Sequence, residues 1–147
     1  MNDIILTHDH LDVQSTVDKV SSDDCGAVSV FLGTTRNHFK GKKVVQLDYE
    51  CYENMAKKEM LKICEIMREK WPDIMHIAVH HRLGTVPIRE GSILIAVSSP
   101  FRLSAMHATQ YCIDSIKATV PIWKKEVYAD GTISWKENSE CTWKSNP

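Results

Sequence analysis

Three lysines lie close together in the segment DSIKATVPIWKKEVY, residues 114–128. Lys117 precedes the apolar residues 120–123, and Lys124 and Lys125 follow them. The pKa of a hydrated lysine lies near 10.4, too high for a base at neutral pH. Burial and a neighbouring cation lower that pKa and make lysine usable as a proton acceptor or nucleophile. Two interpretations stay open: exposed lysines at the edge of an ordinary strand, or lysines held inside a site.

The residues after the apolar segment differ in the direction they face. If residues 124–126 are extended, Lys124 and Glu126 lie on one side of the strand and Lys125 lies on the other. Residues 120–123 would then supply an apolar wall, and Lys117 and Lys124 would form a pair of mutually repelling cations. Residue types alone favour the exposed interpretation by about two to one, since charged side chains usually lie at the surface.

Arg36 follows a predicted strand that ends at Gly33 and precedes a basic segment, NHFKGKK. The segment is no Walker A loop, because Arg36 occupies the position of the first glycine and Lys43 replaces the required serine or threonine. A planar guanidinium at the end of a strand is nevertheless suited to a bidentate contact with phosphate. A solvated loop charge is the equally weighted alternative.

Arg102 lies in the segment AVSSPFRLSAM, at the predicted start of a helix. Ser99 is predicted as the N-cap and Pro100 as the first helical residue. A cation in the first turn opposes the helix dipole, so its placement suggests an anion bound between Arg102 and the free amides. An ordinary surface arginine is the alternative, and Phe101 by itself indicates packing.

Helix geometry limits how Arg102 and Lys117 can act together. They are 15 residues apart on one predicted helix, which separates them by ~22 Å at ~1.5 Å per residue. Within one chain they cannot both contact a small molecule. Two such helices packed antiparallel about a two-fold axis would bring Arg102 of one subunit near Lys117 of the other. If both residues function, we expect a dimer with shared sites.

The hydrophobic pattern predicts strands and helices without strict alternation, which indicates the α+β class. The helix over 55–71 is predicted to carry Met60, Leu61, Cys64, Met67 and Trp71 on one buried stripe. The segment 25–35 is predicted to contain a buried strand that ends at Gly33, and 35–43 is predicted as a basic loop. The last strands should form a hairpin with a two-residue turn at Asp130 and Gly131. The remaining predicted strands lie at 4–7, 44–52, 75–84 and 92–99, and the remaining helices at 11–20 and 100–118.

Composition bounds the class of protein. The chain has 147 residues and a formal net charge of −1, which predicts a single domain over 1–147 and no general attraction for nucleic acid or membrane. The five cysteines include no Cys-x-x-Cys pair, which indicates free thiols in a reducing compartment. No signal peptide or membrane span is predicted, so we expect a cytosolic protein. The histidines lack metal-ligand spacing, so we expect no metal.

Six motifs in order resemble one family. GAVSVFLGTTRN, YECYENMA, KWP, IAVHHRLG, AVSS followed by FR, and IKATVPIWKKE together cover about Cys25 to Trp143. This set is similar to the large, catalytic subunit of molybdopterin synthase. The resemblance implies an α+β fold with a hammerhead-like β subdomain and a central homodimer.

The same resemblance implies partners and a reaction. Each end of the dimer would bind a small ubiquitin-like sulfur-carrier subunit, giving a heterotetramer. The carrier's C-terminal Gly-Gly thiocarboxylate would donate sulfur to cyclic pyranopterin monophosphate and form the dithiolene of molybdopterin. No permanently bound cofactor is implied.

The resemblance also assigns site residues. Lys117 and Lys124 would be catalytic, and the substrate-binding set would be Arg36, Phe101, Arg102, Lys117, Lys124, Lys125 and Glu126. This chain departs from the family at Phe101, where histidine is common. Phenylalanine can neither donate a hydrogen bond to phosphate nor move a proton. Two other classes therefore stay open: a non-catalytic docking module for the ubiquitin-like carrier, and a regulator that binds a phosphorylated metabolite.

Overall fold

The computed structural model describes residues 1–137, which form two β-sheets and three helices. The helices are α1 (Val13–Val20), α2 (Glu53–Lys70) and α3 (Arg102–Thr119). The strands are β1 (Asn2–Thr7), β2 (Ala27–Thr34), β3 (His38–Phe39), β4 (Lys42–Cys51), β5 (Ile77–Arg82), β6 (Gly84–Pro87), β7 (Gly91–Ser99), β8 (Ile122–Tyr128) and β9 (Ile133–Glu137).

The first sheet has the strand order β1-β5-β7-β2 and supports the helices. β1 pairs with β5 in parallel, and the other neighbours are antiparallel. Alternate side chains of the central strands point to opposite faces, as strand geometry requires. Ile77 and Val79 pack in the main core with α2 and α3, whereas Ala78 packs with Val20 at the end of α1. The sheet therefore lies between two helical layers.

The second sheet has the order β3-β4-β8-β9, and β6 also pairs with β4. All of its pairings are antiparallel. Val44, Leu47 and Tyr128 form a separate small core, with Phe39 and Tyr49 packed against it. This sheet is the small β subdomain that was expected, and the mixed α+β class is confirmed.

Two predictions about burial were wrong. β2 is an edge strand, and its Val30 and Leu32 are exposed. Hydrophobicity along a strand cannot reveal which strand lies at the edge, because strand order is set by long-range pairing. On α2, Leu61 is exposed, whereas Met60 and Cys64 are buried, so the buried stripe is narrower than predicted.

Two connections also differ from the prediction. The basic segment after β2 is largely a hairpin, whose turn contains Lys40 (φ 47°) and Gly41 (φ 81°). The last hairpin turns over the three residues 129–131 rather than over two, since Tyr128 N–H donates to the Thr132 carbonyl. Gly131 takes the positive φ of 86° in that turn, which glycine adopts without a Cβ clash.

The start of α3 differs from the predicted capping. Phe101 occupies the N-cap position and makes no side-chain capping bond. Ser99 lies two residues earlier, and its Oγ still accepts a hydrogen bond from the Ala105 amide at 3.1 Å. Ser99 therefore satisfies a helix amide as expected, but from outside the cap. Arg102 is the first helical residue.

Four described cysteines are free, and Cys141 lies outside the described residues. Cys64 and Cys112 are buried, as the sequence predicted for structural thiols. Among residues 1–137, no helix is long and apolar enough to cross a bilayer.

Two methionines on α2 test the packing of this helix against the sheet. Met60 is 0% exposed and Met55 is 54% exposed. We expect Met60→Ala to lower the free energy of unfolding by about 2–5 kcal/mol, because it leaves a cavity. Met55→Ala should change it by less than about 0.5 kcal/mol. Urea denaturation measures both, and equal effects would contradict this packing.

Candidate functional site

A cleft of about 690 Å³ lies where α3 meets both sheets. Its apolar lining includes Phe31 and Ile93 from the first sheet and Ile113 and Ile116 from α3. The second sheet contributes β4, β8 and β9 to the opposite wall. The cleft falls within the ~300–1,000 Å³ typical of small-molecule sites.

Four of the residues predicted from sequence line this cleft: Arg36, Lys117, Lys124 and Glu126. Lys117 lies in the last turn of α3, where the helix dipole favours a cation. Arg36 follows Thr35, whose backbone is fixed by hydrogen bonds with Glu90 and Arg89 at 3.2 and 3.0 Å. The chain thus brings together cations from a loop, a helix and a strand.

The predicted facing of β8 is confirmed. Lys124 and Glu126 line the cleft, and Lys125 does not. The apolar wall is also present, since Val120, Ile122 and Trp123 line the same cleft. Strand alternation accounts for the facing of residues 124–126, and the short connection from α3 brings residues 120–123 to the same cleft.

Lys124 has a lowered pKa. Burial is the largest cause, because it disfavours the charged ammonium. Glu126 raises the pKa in opposition, whereas the cations Lys117, Arg36 and Lys136 lower it. A lysine with a lowered pKa keeps a larger neutral fraction and can accept a proton.

Glu126 is a buried carboxylate, 1% exposed. The Tyr128 hydroxyl donates a hydrogen bond to its Oε2 at 2.5 Å. The Lys136 ammonium lies 3.6 Å from its Oε1. Lys136 also lines the cleft, and the sequence interpretation missed it. The alternation of β9 around Trp135 and Lys136 was the available signal.

Two further polar residues line the cleft, Tyr49 and His81. Their rings make an edge-to-face contact with centroids 5.0 Å apart. The ring Nδ1 of His81 lies 2.8 Å from the Arg82 carbonyl, so Nδ1 carries the proton and donates it. Burial lowers the pKa of His81 to about 4, so the imidazole is neutral at neutral pH. Sequence reasoning predicted a strand over 75–84 and assigned none of its histidines to a site.

Three predicted site residues lie away from the cleft of their own chain. Phe101 is 78% exposed, and Arg102 is exposed beside it at the start of α3. Lys125 pairs with Asp48 at 3.3 Å and lies 5.5 Å from the centroid of the Trp135 ring. The separation of Arg102 from Lys117 within one chain agrees with the helix-length argument.

The described cysteines near the core are poor nucleophiles. Burial raises the pKa of Cys51 and of Cys64 to about 11, and the thiolate is the reactive form. Within residues 1–137, no three His, Cys, Asp or Glu side chains converge closely enough to hold a metal ion. The charged groups that line the cleft are lysine, arginine and carboxylate side chains, beside the neutral His81 and Tyr49.

Comparisons with known proteins agree on one family. The profile described as MoaE protein matches residues 6–119. The chain is 58% identical to the molybdopterin synthase catalytic subunit of Taeniopygia guttata over 140 residues, which cover 95% of this chain and 90% of that protein. It is 56% identical to molybdopterin synthase catalytic subunit 1 of Aedes aegypti over 145 residues, covering 97% and 94%.

A solved structure agrees as well. The crystal structure of molybdopterin synthase from Staphylococcus aureus superposes with a TM-score of 0.84 at 37% identity. The match covers 89% of this chain and 94% of that one.

The buried His81 predicts a pH-dependent stability. Its pKa is about 4 in the folded chain and ~6.5 when unfolded. Between these values the unfolded state binds more protons, so stability rises with pH there. We expect roughly 2 kcal/mol of unfolding free energy to be lost between pH 7 and pH 5 through this residue.

His81→Phe should remove that part of the pH dependence, whatever its effect on absolute stability. His107→Gln, on the exposed side of α3, should leave it intact. Urea denaturation at the two pH values measures the difference. An unchanged pH slope in His81→Phe would show that the histidine is not held neutral by burial.

Proposed function

The chain belongs to the MoaE protein family, and from that membership we infer that it is the catalytic subunit of molybdopterin synthase, a sulfur-transferring enzyme of molybdenum cofactor biosynthesis. The observation that carries the inference is the convergence of Arg36, Lys117, Lys124 and Glu126 on one cleft. The relatives that match nearly the whole chain carry the same name.

We propose cyclic pyranopterin monophosphate as the substrate of this cleft and molybdopterin as the product. Arg36, Lys117, Lys124 and Lys136 line this cleft together with one carboxylate, Glu126. Such an excess of positive charge favours an anionic ligand in a partly enclosed site. Arg36 is suited to the phosphate, because its guanidinium can donate two parallel hydrogen bonds.

A small ubiquitin-like sulfur carrier is the proposed second substrate. Its C-terminal Gly-Gly tail ends in a thiocarboxylate, and glycines allow an extended backbone to enter a narrow channel. The same cations that attract phosphate would attract this anionic terminus. The thiocarboxylate sulfur forms a bond to a pterin carbon and displaces an oxygen substituent from it. Water then hydrolyses the acyl–sulfur bond, which leaves the sulfur on the pterin and the carrier with a carboxylate.

Lys117 and Lys124 are the proposed catalytic pair. Lys124 has the lowered pKa, which suits proton transfer near neutral pH. Lys117 lines the same cleft and can stabilise negative charge that develops as sulfur attacks. The apolar wall beside them excludes water and strengthens both interactions.

A homodimer within a heterotetramer is the proposed assembly. Phe101 and Arg102 lie at the far end of α3 from Lys117, next to the exposed apolar residues Leu103 and Met106. Apolar side chains grouped in this way commonly mark an interface. We propose that Phe101 and Arg102 contact the substrate bound by the partner subunit. Lys125 remains a proposed substrate contact, although its pairing with Asp48 directs it away from its own cleft.

A docking module without catalysis is the competing proposal, and it is favoured by Phe101 at a position where the resemblance implies a histidine. It predicts that the carrier binds without sulfur transfer. The enzyme proposal predicts dithiolene formation from the thiocarboxylated carrier and the pterin precursor.

Substitution of Lys117 separates these proposals. We expect Lys117→Ala to lower turnover by at least ~10²-fold, the range for loss of a residue that moves protons or stabilises charge, and to leave carrier binding largely intact. Lys62→Ala, an exposed lysine on α2, is the matched control. Dithiolene product is measured by fluorescence after oxidation, and carrier binding by calorimetry. No product from the folded unsubstituted protein would favour the docking module.

Mixing two inactive variants tests the shared site. If each site combines Lys117 of one subunit with Arg102 of the other, Lys117→Ala and Arg102→Ala should complement one another. After subunit exchange, half of the dimers are mixed and each mixed dimer has one intact site, so activity should recover to about a quarter of the parent value. Absence of recovery despite confirmed exchange would place both residues in the same subunit's site.

A further inference from the structure

β9 brings one more cation, Lys136, into the cleft. Its register places Lys136 directly opposite Lys124 on β8. Like charges at directly opposed positions destabilise an antiparallel pair, and the side chain of Lys136 is only 29% exposed. The Lys136 ammonium also lies 3.6 Å from the centroid of the Phe39 ring, a favourable cation–π distance. A lysine at this unfavourable position is stabilised only if a nearby group of opposite charge compensates it.

The Glu126 carboxylate is the group of opposite charge that compensates Lys136. Glu126 lies on the same face of β8 as Lys124, two residues along. Among the described residues, however, the ion-pair partner of Glu126 is Lys136 and not Lys124. The distance from Glu126 Oε1 to Lys136 Nζ is 3.6 Å. The other oxygen, Oε2, accepts the hydrogen bond of the Tyr128 hydroxyl. Both oxygens are therefore engaged by groups other than Lys124.

We propose that Lys136 is a positioning residue of the cleft: it holds the Glu126 carboxylate so that the Lys124 ammonium has no ion-pair partner among residues 1–137. The effect of this positioning on turnover rests on the proposed function. The effect on the protonation of Lys124 is independent of that function.

The groups around Lys124 come from several elements. Glu126 lies on β8 itself and Lys136 lies on β9. Lys117 lies on α3, and Arg36 lies on the loop after β2. Tyr49 on β4 is the cross-strand partner of Lys124, and His81 on β5 lines the same cleft in its neutral form.

Loss of the Lys136 charge changes this environment in two ways. One cation that lowers the Lys124 pKa disappears. The Glu126 carboxylate also loses its partner and can turn toward Lys124, which raises the Lys124 pKa further. Both changes favour the charged ammonium and reduce the neutral fraction that accepts protons.

The neutral fraction of Lys124 can be measured in the full chain without substrate. Acetic anhydride acylates neutral amines, and peptide mass spectrometry resolves Lys124 from its neighbours, with Lys62 as the internal reference. We expect Lys136→Met to slow acylation of Lys124 at pH 8 by about three- to tenfold. Lys136→Arg keeps the charge and should stay within about twofold of the parent.

Lys40→Met is the matched control. Lys40 lies 5.4 Å from the centroid of the same Phe39 ring but does not line the cleft. Its substitution should leave Lys124 acylation unchanged. If Lys136→Met leaves Lys124 acylation unchanged, or if Lys40→Met slows it equally, the proposal fails.

A second background isolates the part carried by Glu126. In Glu126→Gln, Lys136→Met removes only a repelling cation, so its effect on Lys124 acylation should be at least twofold smaller than in the parent. An equal effect in both backgrounds would show that Lys136 acts through space alone and would overturn its positioning role.

Turnover gives a separate measurement. The limb of the pH–rate profile that reports Lys124 should move to higher pH in Lys136→Met and return in Lys136→Arg. A shift in acylation without any sulfur transfer by the parent protein would contradict the proposed function and leave the positioning of Glu126 intact. Sulfur transfer by the parent protein with unchanged Lys124 acylation in Lys136→Met would support the proposed function and contradict the positioning of Glu126.

Discussion

The buried carboxylate of Glu126 is the charge on which the rest of the cleft depends. An ionised carboxylate away from water is unstable unless hydrogen bonds and an opposite charge compensate it. Tyr128 and Lys136 provide that compensation at 2.5 and 3.6 Å. In turn, Glu126 offsets part of the repulsion among the cations that face it. The site is therefore one coupled set of charges rather than a collection of independent lysines.

The fold brings these charges together through a short connection. α3 ends at Thr119 and β8 begins at Ile122, so the chain changes from helix to strand within two residues. Lys117 on the last helical turn and Lys124 on the new strand thereby reach the same cleft. The apolar residues between them serve both as the connection and as one wall. A longer linker would separate the two lysines or leave their position undefined, because loop residues are less constrained.

The length of α3 keeps Arg102, at the start of the helix, away from the cleft that Lys117 lines. Arg102 begins the helix and Lys117 lies in its last turn, so one rigid element separates the two predicted anion-binding groups. A single chain brings Arg36, Lys117, Lys124 and Glu126 into one cleft. Phe101 and Arg102 lie on an exposed apolar turn that suits contact with another subunit. Helix geometry thus links the chemistry of the site to the oligomeric state proposed for it.

Local periodicity was sufficient to predict several features of the site and of the fold. Alternation placed Lys124 and Glu126 on one face of β8, helix rise separated Arg102 from Lys117, and the ordered motifs identified the family. Tertiary structure decided everything that depends on which segments pair. It exposed Leu61, placed β2 at a sheet edge, and brought Lys136 and His81 into the cleft. The physical reason is that strand order and register are set by contacts between residues distant in sequence, and no local pattern encodes them.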